Sequence, residues 1–171
     1  MAESTRIIQT GCGKVRGKLD GSGRTICLGL PYAKAERFCL PQPVCWEGVL
    51  DCLAYRGTAL QPDRLGEYPA GKEIRVSGRE DCLHLNIWAA EAAEGEKLPV
   101  VVYIHGGAFQ VGSAQKDSRA GDLFMEEDRM VFVSVEYRLG VLGFLQLGED
   151  MGEEYRHSGN AGALDVLAAV E

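Results

Sequence analysis

The sequence predicts an α/β fold in which an antiparallel ribbon leads into a mixed central sheet flanked by helices. Three observations carry this. Over residues 5–33, glycine clusters punctuate short β-prone runs. Three strand candidates follow, "CLHLNIWA" (82–89), "PVVVYIH" (99–105) and "MVFVSVEYRL" (130–139), the last two almost continuously apolar. Helix-prone stretches rich in Ala, Leu and Glu sit between and after those two, at 118–129 and 159–171. Strand, helix, strand, helix is the order of a sheet covered on both faces.

In chain order, "RIIQTGCGKVRGKL" and "GSGRTICLGLPYA" read as the ribbon. "GCGKVRG" comes close to the dinucleotide-binding fingerprint. Arg16 occupies the place of its third glycine, however, and no helix-prone run follows, so a hairpin turn is the better reading. From 36 to 81, prolines, glycines and charges predict an irregular connection with short helical turns. Strand 84–89 alternates and places His84 as a hydrogen-bonded structural residue. His157 reads as a solvated loop residue, and Trp46 and Trp88 as packing anchors. Strand 130–139 is the last in the sequence. It is expected to lack its next neighbour and so to expose a long apolar edge. With no repeat or linker composition, residues 1–171 are expected to belong to one domain.

With 171 residues, 46% of them hydrophobic, the chain can bury a sizeable core. A formal charge of −7 with no basic cluster excludes a nucleic-acid surface. The start "MAESTRIIQT" lacks the pattern of a signal peptide, and no apolar run approaches the ~18 residues that span a bilayer. No membrane contact is expected, and the compartment is expected to be cytoplasmic. Cys12, Cys27, Cys39, Cys45, Cys52 and Cys82 form no C-x-x-C pair, so they are read as mostly reduced, partly buried residues that bind no metal. Two of them could still meet in space.

The segment that asks for chemistry is "VVVYIHGGAFQVG", Val100 to Gly112. Adjacent glycines where a buried strand ends remove side chains at the edge of an α/β sheet, where sites are commonly assembled. A plain glycine turn would account for them. The functional alternative is that peptide N–H groups face a developing oxyanion and that small residues admit a substrate carbonyl.

Six motifs in one order, "LGLPYAKAERF", "WEGVLD", "EDCLHLNIW", "LPVVVYIHGGAF", "EYRLGVLGFL" and "GNAGALD", make the chain resemble the type-B carboxylesterases along nearly its whole length. These are α/β-hydrolases that include para-nitrobenzyl esterase and the cholinesterases. The resemblance implies a serine carboxylic-ester hydrolase that works through an acyl-enzyme on a small ester, with no cofactor and no metal. It implies that Gly107 and Ala108 donate two oxyanion hydrogen bonds and that Gly106 shapes the turn. It also implies two structural ion pairs, Arg37 with Glu80 and Arg138 with Asp165.

Departures accompany the resemblance. His84 stands where the family usually has Tyr, Glu136 where it has Asn, and Leu60 where secreted members place a cysteine partner for Cys82. Cys52 is near enough in sequence to substitute as that partner. The nucleophile of an α/β-hydrolase sits in a G-x-S-x-G elbow. None of Ser4, Ser22, Ser77, Ser113, Ser118, Ser134 and Ser158 lies in that frame. The sequence is therefore read as the N-terminal part of an esterase domain, ending before the elbow, with the rest of the same polypeptide as its partner. The alternatives are a binding or adhesion module that keeps the fold without the nucleophile, and a self-sufficient small α/β domain.

Overall fold

In the computed structural model, which describes residues 4–63, 74–115 and 129–171, the chain begins with three antiparallel strands. These are β1 (Thr5–Thr10), β2 (Gly13–Leu19) and β3 (Thr25–Pro31). The turn in "GCGKVRG" joins β1 to β2 with Thr10 opposite Gly13, so the glycines there make a hairpin. The ribbon is continuous with the main sheet, because β3 pairs antiparallel with the strand of "EDCLHLNIW" across a register shift between Cys27 and Leu30.

Between 36 and 57 the chain is irregular, as expected, with one turn closed by the Cys39 N–H on the Glu36 carbonyl at 3.2 Å, but its regular pieces are short strands and not helical turns. β4 (Ala33–Lys34) pairs with β5 (Gln42–Pro43), and β6 (Val49–Asp51) runs parallel to β2. Proline at 41 and 43 opposes helix here, and main-chain pairing supplies the order. β7 (Gln61–Pro62) pairs with β8 (Val76–Ser77). The helix expected at 118–129 falls almost wholly outside the described residues.

β9 (His84–Ala89), β10 (Val100–Ile104) and β11 (Val131–Val135) complete a seven-stranded sheet of order β1-β2-β3-β9-β11-β10, with β6 beside β2. β11 is antiparallel to β9 and parallel to β10. The last strand in sequence is thus central, which corrects the expectation that it would stand at an edge. Returning beside β10, it inserts between β10 and β9, and the exposed apolar edge belongs to β10 instead. Val100 and Ile104 are 60% and 45% exposed there, while Phe132 and Val135 of β11 are buried.

α1 (Gly140–Phe144), α2 (Gly148–Met151) and α3 (Ala161–Val170) follow β11, with 3-10 turns at Glu153–Tyr155 and Ser158–Asn160. Leu85, Val133 and Val135 pack with Ile87 and with Ala169 of α3. Trp88 and Phe132 pack with Leu28 and Tyr103, the Trp88 and Phe132 rings meeting edge-on at 5.9 Å. Cys52 lies in a cluster with Val15 and Cys27, whereas Cys82 packs with Tyr137 and Leu139. These two cysteines do not pair, and all six are free thiols.

Candidate active site

His105 to Phe109 leave the end of β10 and turn sharply. Gly107 has φ 124°, and Ala108 and Phe109 have φ 53° and 58°. Left-handed backbone at non-glycine residues costs roughly 1–2 kcal/mol each, and it persists only where surrounding contacts impose it. Those contacts are specific. The N–H groups of Gln110 and Val111 both donate to the Gly107 carbonyl, at 3.0 and 3.1 Å, and the Gly140 N–H donates to the Phe109 carbonyl at 2.7 Å. The Tyr137 hydroxyl donates to the His105 carbonyl at 3.0 Å. Gln61 clamps Gly112 from both sides, its amide nitrogen donating to the carbonyl at 2.8 Å and its oxygen accepting from the N–H at 2.8 Å.

The demand for glycine is steric at two positions. A Cβ on Gly107 would lie 1.7 Å from the Val111 carbonyl oxygen, and one on Gly112 would lie 2.3 Å from the Gly106 carbonyl oxygen. Gly106, expected to shape the turn, does not. It lacks a positive φ, and a Cβ there would meet nothing within 4 Å. The turn is made at Gly107, because its φ is one that side chains resist.

Among the described residues, no carbonyl or side chain accepts the N–H of Gly107 or of Ala108. These adjacent donors belong to a loop that borders an apolar cavity of about 800 Å³. Ala108 and Phe109 line it from the loop, Leu60 and Pro62 from one side, Val141 and Phe144 of α1 from another. The Phe109 and Phe144 rings lie 4.9 Å apart across its wall.

Behind the loop, His105 is buried and stacked on Tyr137 at 4.6 Å, with Nδ1 3.0 Å from the Gly106 carbonyl. Glu136, fully buried, accepts from the Ser113 hydroxyl at 2.8 Å and the Ala114 N–H at 2.9 Å. Burial pushes its carboxyl up to about 7. Gln61, Glu136 and Tyr137 are supports that the sequence did not mark. Only the departure from Asn at 136 hinted at one of them.

The two ion pairs differ in setting. Arg138 Nε and Nη2 reach Asp165 Oδ2 and Oδ1 at 2.7 and 2.6 Å, with side chains 6% and 0% exposed. Arg37 grips Glu80 in the same two-pronged way, but on the surface, at 66% and 40% exposed. His84 is buried with Nε2 2.8 Å from the Gly57 carbonyl, a structural contact. Among the described residues, no three His, Cys, Asp or Glu side chains group to hold a metal ion.

The profile of the carboxylesterase family matches residues 4–171. The chain belongs to the carboxylesterase family. It is 37% identical to a medium-chain fatty acyl-CoA hydrolase precursor of Anas platyrhynchos, over 99% of this chain and 32% of that protein. It is likewise 37% identical to para-nitrobenzyl esterase of Bacillus subtilis, over 97% of this chain and 34% of the relative. Among solved structures, a Geobacillus stearothermophilus carboxylesterase superposes with a TM-score of 0.81 at 37% identity, covering 96% of this chain and 33% of that one. The fold is the corresponding part of an α/β-hydrolase, and the chain spans about a third of the length of these relatives.

Proposed function

We propose that these residues belong to a serine carboxylic-ester hydrolase and that Gly107 and Ala108 supply two of its oxyanion donors. One observation carries the reading. Two successive N–H groups without a protein acceptor among the described residues sit in a loop held at positive φ beside an apolar cavity. A tetrahedral intermediate places negative charge on the former carbonyl oxygen, and donors already fixed in position stabilise it without reorganising. The apolar walls suit the acyl or alcohol part of an ester. The side chains of this chain supply no nucleophile in an elbow frame, so the attacking serine, its histidine base and the acid that orients the base are assigned to the remainder of the polypeptide. That remainder would also pair with the β10 edge. Ester-cleaving relatives at 37% identity support the substrate class. A reducing, cytoplasmic setting fits six free cysteines, and no helix among the described residues is long and apolar enough to cross a membrane.

The deciding experiment is labelling with a fluorophosphonate probe. The full-length protein is expected to label at one serine and to hydrolyse a para-nitrophenyl ester. The 171-residue chain alone is expected to do neither. Labelling of the short chain, or a full-length protein inert to both reagents, overturns the proposal.

A further inference from the structure

Two exposed cysteines, far apart in sequence, meet at the turn of the first hairpin. Cys12 lies in the β1–β2 turn, and Cys45 four residues before β6, the strand that pairs with β2. The Trp46 N–H donates to the Cys12 carbonyl at 3.0 Å, and Trp46 Nε1 donates to the Lys14 carbonyl at 2.7 Å. Gly13 permits this approach, since a Cβ there would come within 2.7 Å of the Trp46 carbonyl oxygen and Nε1. Main chains at hydrogen-bonding spacing hold facing residues within the Cα separation of roughly 4.4–6.8 Å that a disulfide bridges. The bond from the Trp46 N–H brings Cys45, the residue before Trp46, alongside Cys12, and the neighbouring Cys12 thiol is the main influence that raises the Cys45 thiol.

We propose that Cys12 and Cys45 form a surface dithiol that closes to an intramolecular disulfide when it meets a low-molecular-weight disulfide, a redox-modification site separate from the cavity. The thiolate of one cysteine attacks a sulfur of the small disulfide, making a mixed disulfide and releasing one small thiolate. The second cysteine, as thiolate, then attacks the protein-side sulfur and releases the other. The protein gives up two electrons and two protons, and the oxidant becomes two thiols. Closure staples the hairpin turn to the segment entering β6.

The other cysteines differ in access. Cys27, Cys52 and Cys82 are buried, and Cys39 is half-buried. Burial raises all three buried thiols above their ordinary range, Cys52 to about 11 and Cys82 to about 12. They are slow to form the thiolate that exchange requires. Cys45 is also raised, mainly by the neighbouring Cys12 thiol, so closure is expected to quicken as pH rises.

The test incubates the native full-length protein in glutathione buffers of stepped redox poise, traps free thiols by alkylation, and maps peptides by mass spectrometry. Expected is a Cys12–Cys45 cross-link, with a loss of about 2 Da, appearing before any other cysteine is oxidised. Cys12→Ser and Cys45→Ser should each leave a glutathione adduct on the remaining cysteine and no cross-link. Separate adducts on both cysteines of the wild type, a disulfide between two molecules, or both sites still alkylatable under the most oxidising poise would overturn the proposal. The wild-type map decides even if a variant fails to fold.

Discussion

His105 Nε2 lies 3.9 Å from Glu136 Oε2, with both side chains buried directly behind the glycine loop. The carboxylate faces the imidazole on one side and the Ser113 hydroxyl and Ala114 N–H on the other.

A pH dependence follows. Burial is the largest influence on Glu136 and raises it to about 7 in the folded chain, against about 4.3 when unfolded. The folded state therefore binds the extra proton between those values. Stability associated with Glu136 is fully present below about pH 4.3 and is lost as pH rises through about 7, by a total on the order of 4 kcal/mol. Glu136→Gln keeps an oxygen for Ser113 and Ala114 while removing the titration. Thermal unfolding of the full-length protein from acid to neutral pH should show the downward slope in the wild type and a flatter profile in the variant. Matching slopes would refute the assignment.

The ion pairs should respond very differently to truncation. Asp165→Ala would strand the Arg138 guanidinium in the interior, where it otherwise also donates to the Cys39 carbonyl at 2.9 Å. Breaking a buried pair from one side costs about 3–5 kcal/mol, which denaturant unfolding would detect at once. Arg37→Ala removes a solvated pair that salt already screens, so its unfolding midpoint should hardly move. Equal losses from the two variants would mean that burial does not govern these contacts.

The donor role of Ala108 calls for a substitution that spares the backbone. Proline would delete the N–H but cannot adopt φ 53°. Lactic acid at position 108 of the full-length protein exchanges the N–H for an ester oxygen at little change of shape. It should lower kcat by roughly 10²–10³ and move KM much less, because the interaction grows as charge develops. Ala108→Gly keeps the donor and relieves the positive φ, so it should remain active. A lactic acid enzyme with unchanged kcat would reduce the loop to a turn.

Gly107 admits no such graded test. Even Ala places a Cβ 1.7 Å from the Val111 carbonyl oxygen, so Gly107→Ala should lower the melting temperature and the activity together. A crystal structure of Gly107→Ala with the loop unmoved would contradict this.

The exposed edge of β10 makes the 171-residue chain prone to pair with itself. Among the described residues β10 pairs with β11 alone, and unpaired apolar edges template association. Light scattering should report oligomers of the isolated chain, and Val100→Lys should reduce them. A strictly monomeric isolated chain would count against an open edge.

Local chemistry was legible from the residues alone. Glycine clusters marked the hairpin, apolar runs marked β10 and β11 as strands, and "HGGAF" at a strand end marked the place where chemistry is expected, because backbone conformation leaves periodic or compositional traces; the burial expected of both runs holds for β11 and not, among the described residues, for β10. What could not be read is what depends on meetings between distant segments. The order that seats β11 inside the sheet, the Gln61 clamp on Gly112, the burial of Glu136 against His105 and the contact of Cys12 with Cys45 each join residues many positions apart, and neither propensity nor spacing encodes such pairings. The same distinction separates Arg138–Asp165 from Arg37–Glu80. The sequence supplied the charges of both pairs, but the solvent around each, which sets its energetic weight, was decided by tertiary packing, which buries Asp165 of α3 with Arg138 and leaves Arg37 and Glu80 on the surface.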